Sequence, residues 1–259
     1  MTYCVGLTLE TGLVLLADTR TNAGLDNIST FSKLHLVEAP GERVVALLTA
    51  GNLAVTQEVC SLLMEGVSLP PDAAPETLAT APSLLRCAQL VGEAVRRVYK
   101  EHGEGLKAQS VAFDASFLLA GQIKGGPPRL FQIYSAGNFI EATSDTPFLQ
   151  IGEHKYGKPI LDRAARHDTP LGEAVKLVLI SMDSTLRSNL SVGLPIDLVV
   201  IEKDACAVAL RKRISDDDAY FLSIREAWSQ ALRQAYRTMP EPPWLPAALT
   251  SAESGDAAN

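Results

Sequence analysis

Hydrophobic and polar positions alternate with a period of two at the start of the chain. Tyr3, Val5, Leu7 and Leu9 are interleaved with Cys4, Gly6 and Thr8, which is the pattern of a strand with two different faces. Glu10-Thr11-Gly12 supplies a turn and Leu13-Val14-Leu15-Leu16-Ala17 runs back, so a hairpin is predicted. A second hairpin is predicted from Leu34-His35-Leu36-Val37 and Arg43-Val44-Val45-Ala46-Leu47-Leu48, joined by the turn residues Ala39-Pro40-Gly41-Glu42. The stretch 19–32 between them is polar and aperiodic, and reads as a loop. After Gly51 the period changes. Asn52 is a suitable N-cap, and Val55, Val59, Leu62 and Leu63 recur at helical spacing as far as Gly66. A Pro- and Ala-rich connector leads to a second helix over 83–102, with Leu84, Ala88, Val91, Val95 and Val98 on one face. Strands are predicted again over 110–120, over 130–134 and near Phe139. Helices follow over 155–166 and 171–186, then a hairpin from 196–202 and 206–211.

A last helix opens at Ser215-Asp216-Asp217-Asp218, whose acidic residues suit the positive end of the helix dipole. Phe221, Ile224, Trp228, Leu232 and Ala235 form its predicted buried stripe. From Pro240 onward the composition is that of a loose tail, or of an arm that orders on a neighbouring subunit. Antiparallel hairpins separated by helix pairs suit an α+β fold of two stacked sheets with helices on the outer faces. A doubly wound parallel sheet would need strict strand–helix alternation, which is absent.

Composition narrows the function classes. Of 259 residues 47% are hydrophobic, and 23 basic against 30 acidic side chains leave a net charge of −7. The length supplies ample apolar material for a core, and the acidic balance argues against nucleic acid as a partner. No apolar run approaches the roughly 20 residues of a membrane span, and no secretory signal pattern opens the chain. Cys4, Cys60, Cys87 and Cys206 are scattered without C-x-x-C spacing, so free thiols in a cytoplasmic protein are expected, with no metal site.

Thr2 is the first candidate for chemistry. Removal of Met1 is expected where the next side chain is small, and it exposes a threonine with a free α-amino group. Such a residue carries nucleophile and base together, because the amine can take the proton of its own hydroxyl. The ordinary reading is the first residue of an edge strand, and for an arbitrary chain beginning Met-Thr it would prevail. Its context alters the balance. Leu16-Ala17-Asp18-Thr19-Arg20-Thr21-Asn22-Ala23-Gly24 ends a strand on an acid and continues into a polar loop with an arginine. Phe31-Ser32-Lys33-Leu34 places a lysine where the next strand begins, and Leu48-Thr49-Ala50-Gly51-Asn52 ends a strand on a glycine before a helix.

These segments resemble the proteasome β-subunit family of N-terminal nucleophile hydrolases, and more closely its bacterial branch called Anbu, related to the ring protease HslV. Met-Thr-Tyr-Cys-Val-Gly, Ala-Asp-Thr-Arg-Thr-Asn-Ala-Gly and Ala-Gly-Asn-Leu-Ala carry the likeness in the first part of the chain. Gly152-Glu153-His154-Lys155-Tyr156-Gly157-Lys158-Pro159-Ile160-Leu161 and Arg187-Ser188-Asn189-Leu190-Ser191-Val192-Gly193-Leu194-Pro195-Ile196-Asp197 carry it further on.

The resemblance implies a four-layer αββα sandwich formed by one domain over 2–237, with a flexible tail over 238–259. It implies a threonine peptidase without cofactor, with Thr2 as nucleophile, Lys33 as the ammonium beside it and Asp18 as the partner of Lys33. The backbone N–H of Gly51 would stabilise the oxyanion. Arg20, Glu153 and Ser191 are supporting candidates, and a peptide or protein substrate would lie as an extended strand beside Thr19, Thr21 and Asn22. A homo-oligomer, as a closed ring or an open helical stack, is implied. An ATP-driven unfoldase is left open, and no nucleotide motif exists in the chain. Two departures stand out. Proteasome β-subunits carry a serine where this chain has Glu153, and an aspartate near the position of Ser188-Asn189. A carboxylate at 153 would serve the Thr2 amine or bind Lys155.

Two other classes are weighed against a peptidase. A non-catalytic scaffold subunit, like proteasome α-subunits, would carry a helical extension before the first strand, whereas here the strand starts directly after Thr2. An amidase of small substrates with the same nucleophile is the third. Other residues offer less. His35, His102, His154 and His167 lack an H-E-x-x-H or triad-like context, and Gly125-Gly126 lacks a phosphate-binding continuation. Cys4 faces away from Tyr3 on its strand and reads as core.

Overall fold

In the computed structural model, which describes residues 2–22 and 28–246, the two-sided first strand has apolar surroundings on both sides. Strand β1 (Tyr3–Leu9) is buried along its length and pairs with β2 (Gly12–Asp18), also fully buried. Tyr3, Val5 and Leu7 point to a helical layer, and Cys4 points to a second sheet. Gly6 lies on the inner side with Cys4. A Cβ there would sit 2.9 Å from a Leu130 methyl, so glycine lets the sheets close.

The chain continues through β3 (Arg20–Asn22), β4 (Ile28–Thr30), β5 (Leu34–Ala39) and β6 (Arg43–Gly51) to helices α1 (Leu53–Glu65) and α2 (Leu84–Ala108). Strands β7 (Ala115–Ile123), β8 (Arg129–Ile133), β9 (Phe139–Glu141) and β10 (Phe148–Gly152) follow. Helices α3 (Lys158–Ala164) and α4 (Leu171–Ser188), strands β11 (Ile196–Glu202) and β12 (Val208–Ile214), and helix α5 (Ala219–Arg237) complete it. One antiparallel sheet has the order β10-β1-β2-β11-β12 and the other β5-β6-β7-β8-β9.

Three apolar clusters separate the layers. Leu15, Ala17 and Val199 meet Val44, Ala46, Leu48, Leu118 and Leu130 between the sheets. Val45, Leu47, Phe117 and Phe131 carry α1 and α2 on one outer face. Leu161, Val178 and Met182 of α3 and α4 cover Val5 and Leu7 on the other. The architecture is α+β, with antiparallel sheets stacked in an αββα arrangement. Each fully buried Leu, Val or Phe in these clusters stabilises it by about 1.5–3 kcal/mol.

Several sequence expectations need correction. The predicted loop over 19–32 contains a two-stranded ribbon, Arg20 opposite Thr30 and Thr21 opposite Ser29. Its polar side chains hid the pairing, since β4 is exposed throughout. Strand β10 was not predicted: Phe148-Leu149-Gln150-Ile151 is short, and polar residues precede it. Helix α2 runs on to Ala108, α3 is limited to Lys158–Ala164, and β7 starts at Ala115 rather than 110. On α5 only Phe221 is buried; Leu232 is 50% exposed and Ala235 is exposed. The helix is anchored at its start by Asp218, which accepts from Phe221 N at 2.9 Å, and by Arg225 on Asp183 Oδ1 at 2.6 Å. Trp228 is still half-buried, and from Gln230 to the end of the helix every residue is exposed. The tail expected from 238 is described only to 246, and Met1 and Gly24 also lie outside the described residues.

Candidate active site

Strand β2 ends on Asp18, and its carboxylate is fully buried. Burial raises this carboxyl above its ordinary value, opposed by the Lys33 ammonium and by the N–H groups of Tyr3 and Gly193. Lys33 Nζ lies 2.7 Å from Asp18 Oδ1 and 2.6 Å from the Arg20 carbonyl oxygen. Tyr3 N donates to Asp18 Oδ1 at 3.1 Å, and Gly193 N donates to Oδ2 at 3.2 Å. Every one of these partners donates, which is what an ionised carboxylate accepts. The pair is therefore a fixed buried ion couple, with Lys33 only 4% exposed. It differs in kind from a surface salt bridge, which contributes little.

Thr2, 7% exposed, lies at the head of β1. The end of β10 clamps it: Glu153 N donates to Thr2 O at 2.6 Å. Gly152 has φ +80°, and a Cβ there would sit 1.9 Å from the Thr2 oxygen, so only glycine fits. Thr2 and Lys33 line one cleft of about 370 Å³ with Arg20, Thr21, Asn22, Thr49, Gly51 and the start of α1. Gly51, at φ +111°, turns the chain from β6 into the helix, and a Cβ there would lie 2.3 Å from the Asp114 oxygen. Asn52 caps α1 by accepting from Ala54 N at 3.0 Å, and its own N–H donates to Asp114 O at 2.7 Å. The positive end of the helix dipole thus faces the cleft. Among the described residues, Thr21 Oγ1 and Asn22 Oδ1 are buried without a hydrogen-bond partner. Two unsatisfied polar atoms at one wall are a marked cost unless a ligand completes them.

Comparison with known proteins gives this arrangement a family. A model of the proteasome subunit family matches residues 88–201. A Gly-1 mutant of Anbu from Hyphomicrobium sp. strain MC1 is 57% identical, matches over 93% of this chain and 99% of its own, and superposes with a TM-score of 0.85. The chain belongs to the Anbu family. Anbu from Yersinia bercovieri, described as an ancestral β-subunit, is 47% identical over 94% of this chain and 100% of its own, with a TM-score of 0.85. The Anbu complex from Pseudomonas aeruginosa, described as a helical assembly, is 47% identical over 95% and 99%, also at 0.85. No functionally curated protein matches. The fold is accordingly the proteasome-like N-terminal nucleophile hydrolase fold.

Within this Anbu framework the sequence-derived candidates have distinct places. Thr2, Lys33, Gly51, Arg20, Thr21 and Asn22 share the cleft, and Asp18 stands behind Lys33. Thr19 does not join them. It is fully buried and its hydroxyl donates to the Pro195 carbonyl at 2.6 Å, so it ties β2 to the loop before β11 rather than meeting a substrate. Arg20 Nη1 donates to Leu190 O at 3.1 Å and its side chain packs on Gly193, which makes it a clamp. Ser191 contributes its N–H to Asn189 Oδ1 at 2.9 Å. Glu153 is buried, and its Oε2 accepts from Asn189 Nδ2 at 3.2 Å; Lys155 Nζ is 4.0 Å from Oε1. Cys4 lies in the inter-sheet core with its thiol pushed upward by burial, which makes it a poor nucleophile.

Sequence reasoning gave Gly193 and Asn189 no role. Gly193 acts through a main-chain N–H, which every non-proline residue possesses. Among the described residues Glu58, Glu101 and His102 form one cluster with metal-ligand types, none of them lining this cleft, and His102 Nε2 is engaged by Glu58 at 3.0 Å. No helix of the described residues is long and apolar enough to cross a membrane.

Proposed function

We propose that the chain is a threonine hydrolase of amide bonds, a peptidase that acts through Thr2 after loss of Met1. The observation that carries this reading is the buried Lys33–Asp18 couple set in the wall of the cleft that Thr2 lines. In the proposed step the Thr2 α-amine accepts the hydroxyl proton as Oγ attacks the substrate carbonyl carbon. The tetrahedral oxyanion is stabilised by the Gly51 N–H at the start of α1. The protonated amine then gives its proton to the leaving nitrogen, the C–N bond breaks, and an ester to Thr2 remains. Water, deprotonated by the same amine, hydrolyses that ester and restores the hydroxyl. Lys33 favours loss of the proton from Oγ by its charge, and Asp18 keeps that charge in place.

Thr21 and Asn22 support an extended substrate, since they form one strand of a short ribbon at the cleft and carry buried polar atoms that none of the described residues engages. Homo-oligomerisation is supported by the helical assembly of the Pseudomonas aeruginosa relative and by the exposed apolar face of α5, where Leu232 and Tyr236 are 50% and 63% exposed. Four unpaired cysteines support the reducing cytoplasm as its compartment.

A peptide library and a panel of small acyl amides offered to the purified assembly separate the readings. Peptide cleavage lost in Thr2→Ala is expected. Turnover confined to the small amides would replace the peptidase by an amidase, and no turnover of either would favour a scaffold.

A further inference from the structure

Glu153 is a buried acid that the proposed reaction does not use. Its place is set by main-chain geometry. In the β1–β10 ladder Tyr3 is paired with Gly152, so the next step outward sets Thr2 against Glu153. The 2.6 Å hydrogen bond from Glu153 N to Thr2 O and the close approach of Gly152 to the same oxygen hold the two residues together. The side chain stays 9% exposed and is steadied by Asn189 Nδ2 on Oε2, with Asn189 in turn held by the Ser191 N–H. Lys155 is a weak competitor, because it stands 4.0 Å away with its side chain 75% exposed.

We infer that Glu153 is a positioning residue that binds the α-ammonium group of processed Thr2 and so moves the working range of the site to higher pH. The inference rests on the Thr2 reading above. The charges around that amine bear on the direction. Lys33, which lines the same cleft as Thr2, opposes this direction, and Asp18, 2.7 Å from its Nζ, offsets part of its charge. The Arg20 guanidinium is turned onto the Leu190 carbonyl, and exposed His154 is directed to the Gly152 carbonyl at 3.2 Å. Glu153 is the acidic side chain on the residue that the strand pairing sets against Thr2, with only the exposed Lys155 4.0 Å from it as a counter-charge. An adjacent carboxylate favours the ammonium form, so the free amine that acts as base becomes available only above its ordinary range. Near neutral pH the site is correctly assembled but mostly protonated.

The test is a titration of the amine itself on the intact assembly, after intact mass has shown that Met1 is gone. Carbamylation of Thr2 by cyanate is followed against pH from the mass of the N-terminal peptide. The wild-type midpoint is expected above the ordinary range of about 7.7–8.0 for an α-amine. In Glu153→Gln, which keeps the shape and an acceptor for Asn189, it is expected to fall by roughly one to two units. The acid limb of Thr2 modification by an epoxyketone, in which Oγ adds to the ketone and the free amine opens the epoxide, should move in the same direction. A wild-type midpoint at or below that ordinary range overturns the inference whether or not the variant folds, and so do equal midpoints in the two proteins. A shifted amine without any acylation leaves Glu153 in its role and removes the hydrolase reading instead.

Discussion

Lys33→Met is expected to lower the rate of Thr2 acylation by roughly two to three orders of magnitude, the usual loss when one preorganised charge is taken from a reacting centre. Methionine keeps the length and apolar stem of the side chain, so the cleft retains its shape and the effect reports the ammonium. Stability falls as well. The couple has side-chain exposures of 5% and 0%, and removing one partner of a buried pair costs about 3–5 kcal/mol. The loss is pH-dependent with a definite sign. Burial already raises the Asp18 carboxyl, and Lys33 is the chief influence holding it down. Without Lys33 the folded protein keeps a proton on Asp18 that the unfolded chain releases. The variant is therefore closest to wild type in stability at acid pH and falls behind as pH rises through the folded value of Asp18. Thermal unfolding of both proteins at pH 5 and pH 8 reads this directly; a gap that narrows with rising pH would contradict the buried-pair account.

The second large effect is expected from Gly152→Ala. The added methyl meets Thr2 backbone at 1.9 Å, and the residue is held at φ +80°, where an L side chain is strained. Strain of this kind costs about 1–3 kcal/mol. The functional loss is larger than that figure suggests, because the atom displaced is the carbonyl of the nucleophilic residue. A shift of about 1 Å in a reacting group is worth roughly 10²-fold in rate. Gly41→Ala is the matched control: φ is +79° but nothing lies within 4 Å of the new methyl. It should show the loss of stability and keep acylation. Equal acylation in the two variants would mean that the clamp on Thr2 has no functional weight.

The legibility of this molecule in its sequence follows the balance of side-chain and main-chain effects. β1 was readable from its alternation, and β2 and β6 from continuous apolar runs buried on both faces, while β5 is only partly buried and was marked by the turn that joins it to β6. α1 was readable to its caps, since Asn52 and Gly66 are chemically marked ends. The β3–β4 ribbon was not, because its pairing is main-chain and its side chains are polar. α5 misled in another way: an apolar stripe shows that a helix needs a partner, and here the body of the subunit leaves the helix exposed from Gln230 onward. Asp18 and Lys33 were visible as charged residues at strand ends. Their setting was not, because the Tyr3 and Gly193 N–H groups and the Arg20 carbonyl are atoms every sequence contains. Thr19, in the same polar run as Thr21, was indistinguishable until the Pro195 carbonyl claimed its hydroxyl.

The central claim is that residue 2, once it is the first residue, is the attacking group. The most direct measurement is mass spectrometry of the wild-type assembly and its Thr2→Ala variant after treatment with a threonine-directed epoxyketone. A chain lacking Met1, with one adduct mapped to Thr2 and none in an equally assembled variant, is the predicted result. A chain that retains Met1 throughout, or an adduct that persists in Thr2→Ala, contradicts it.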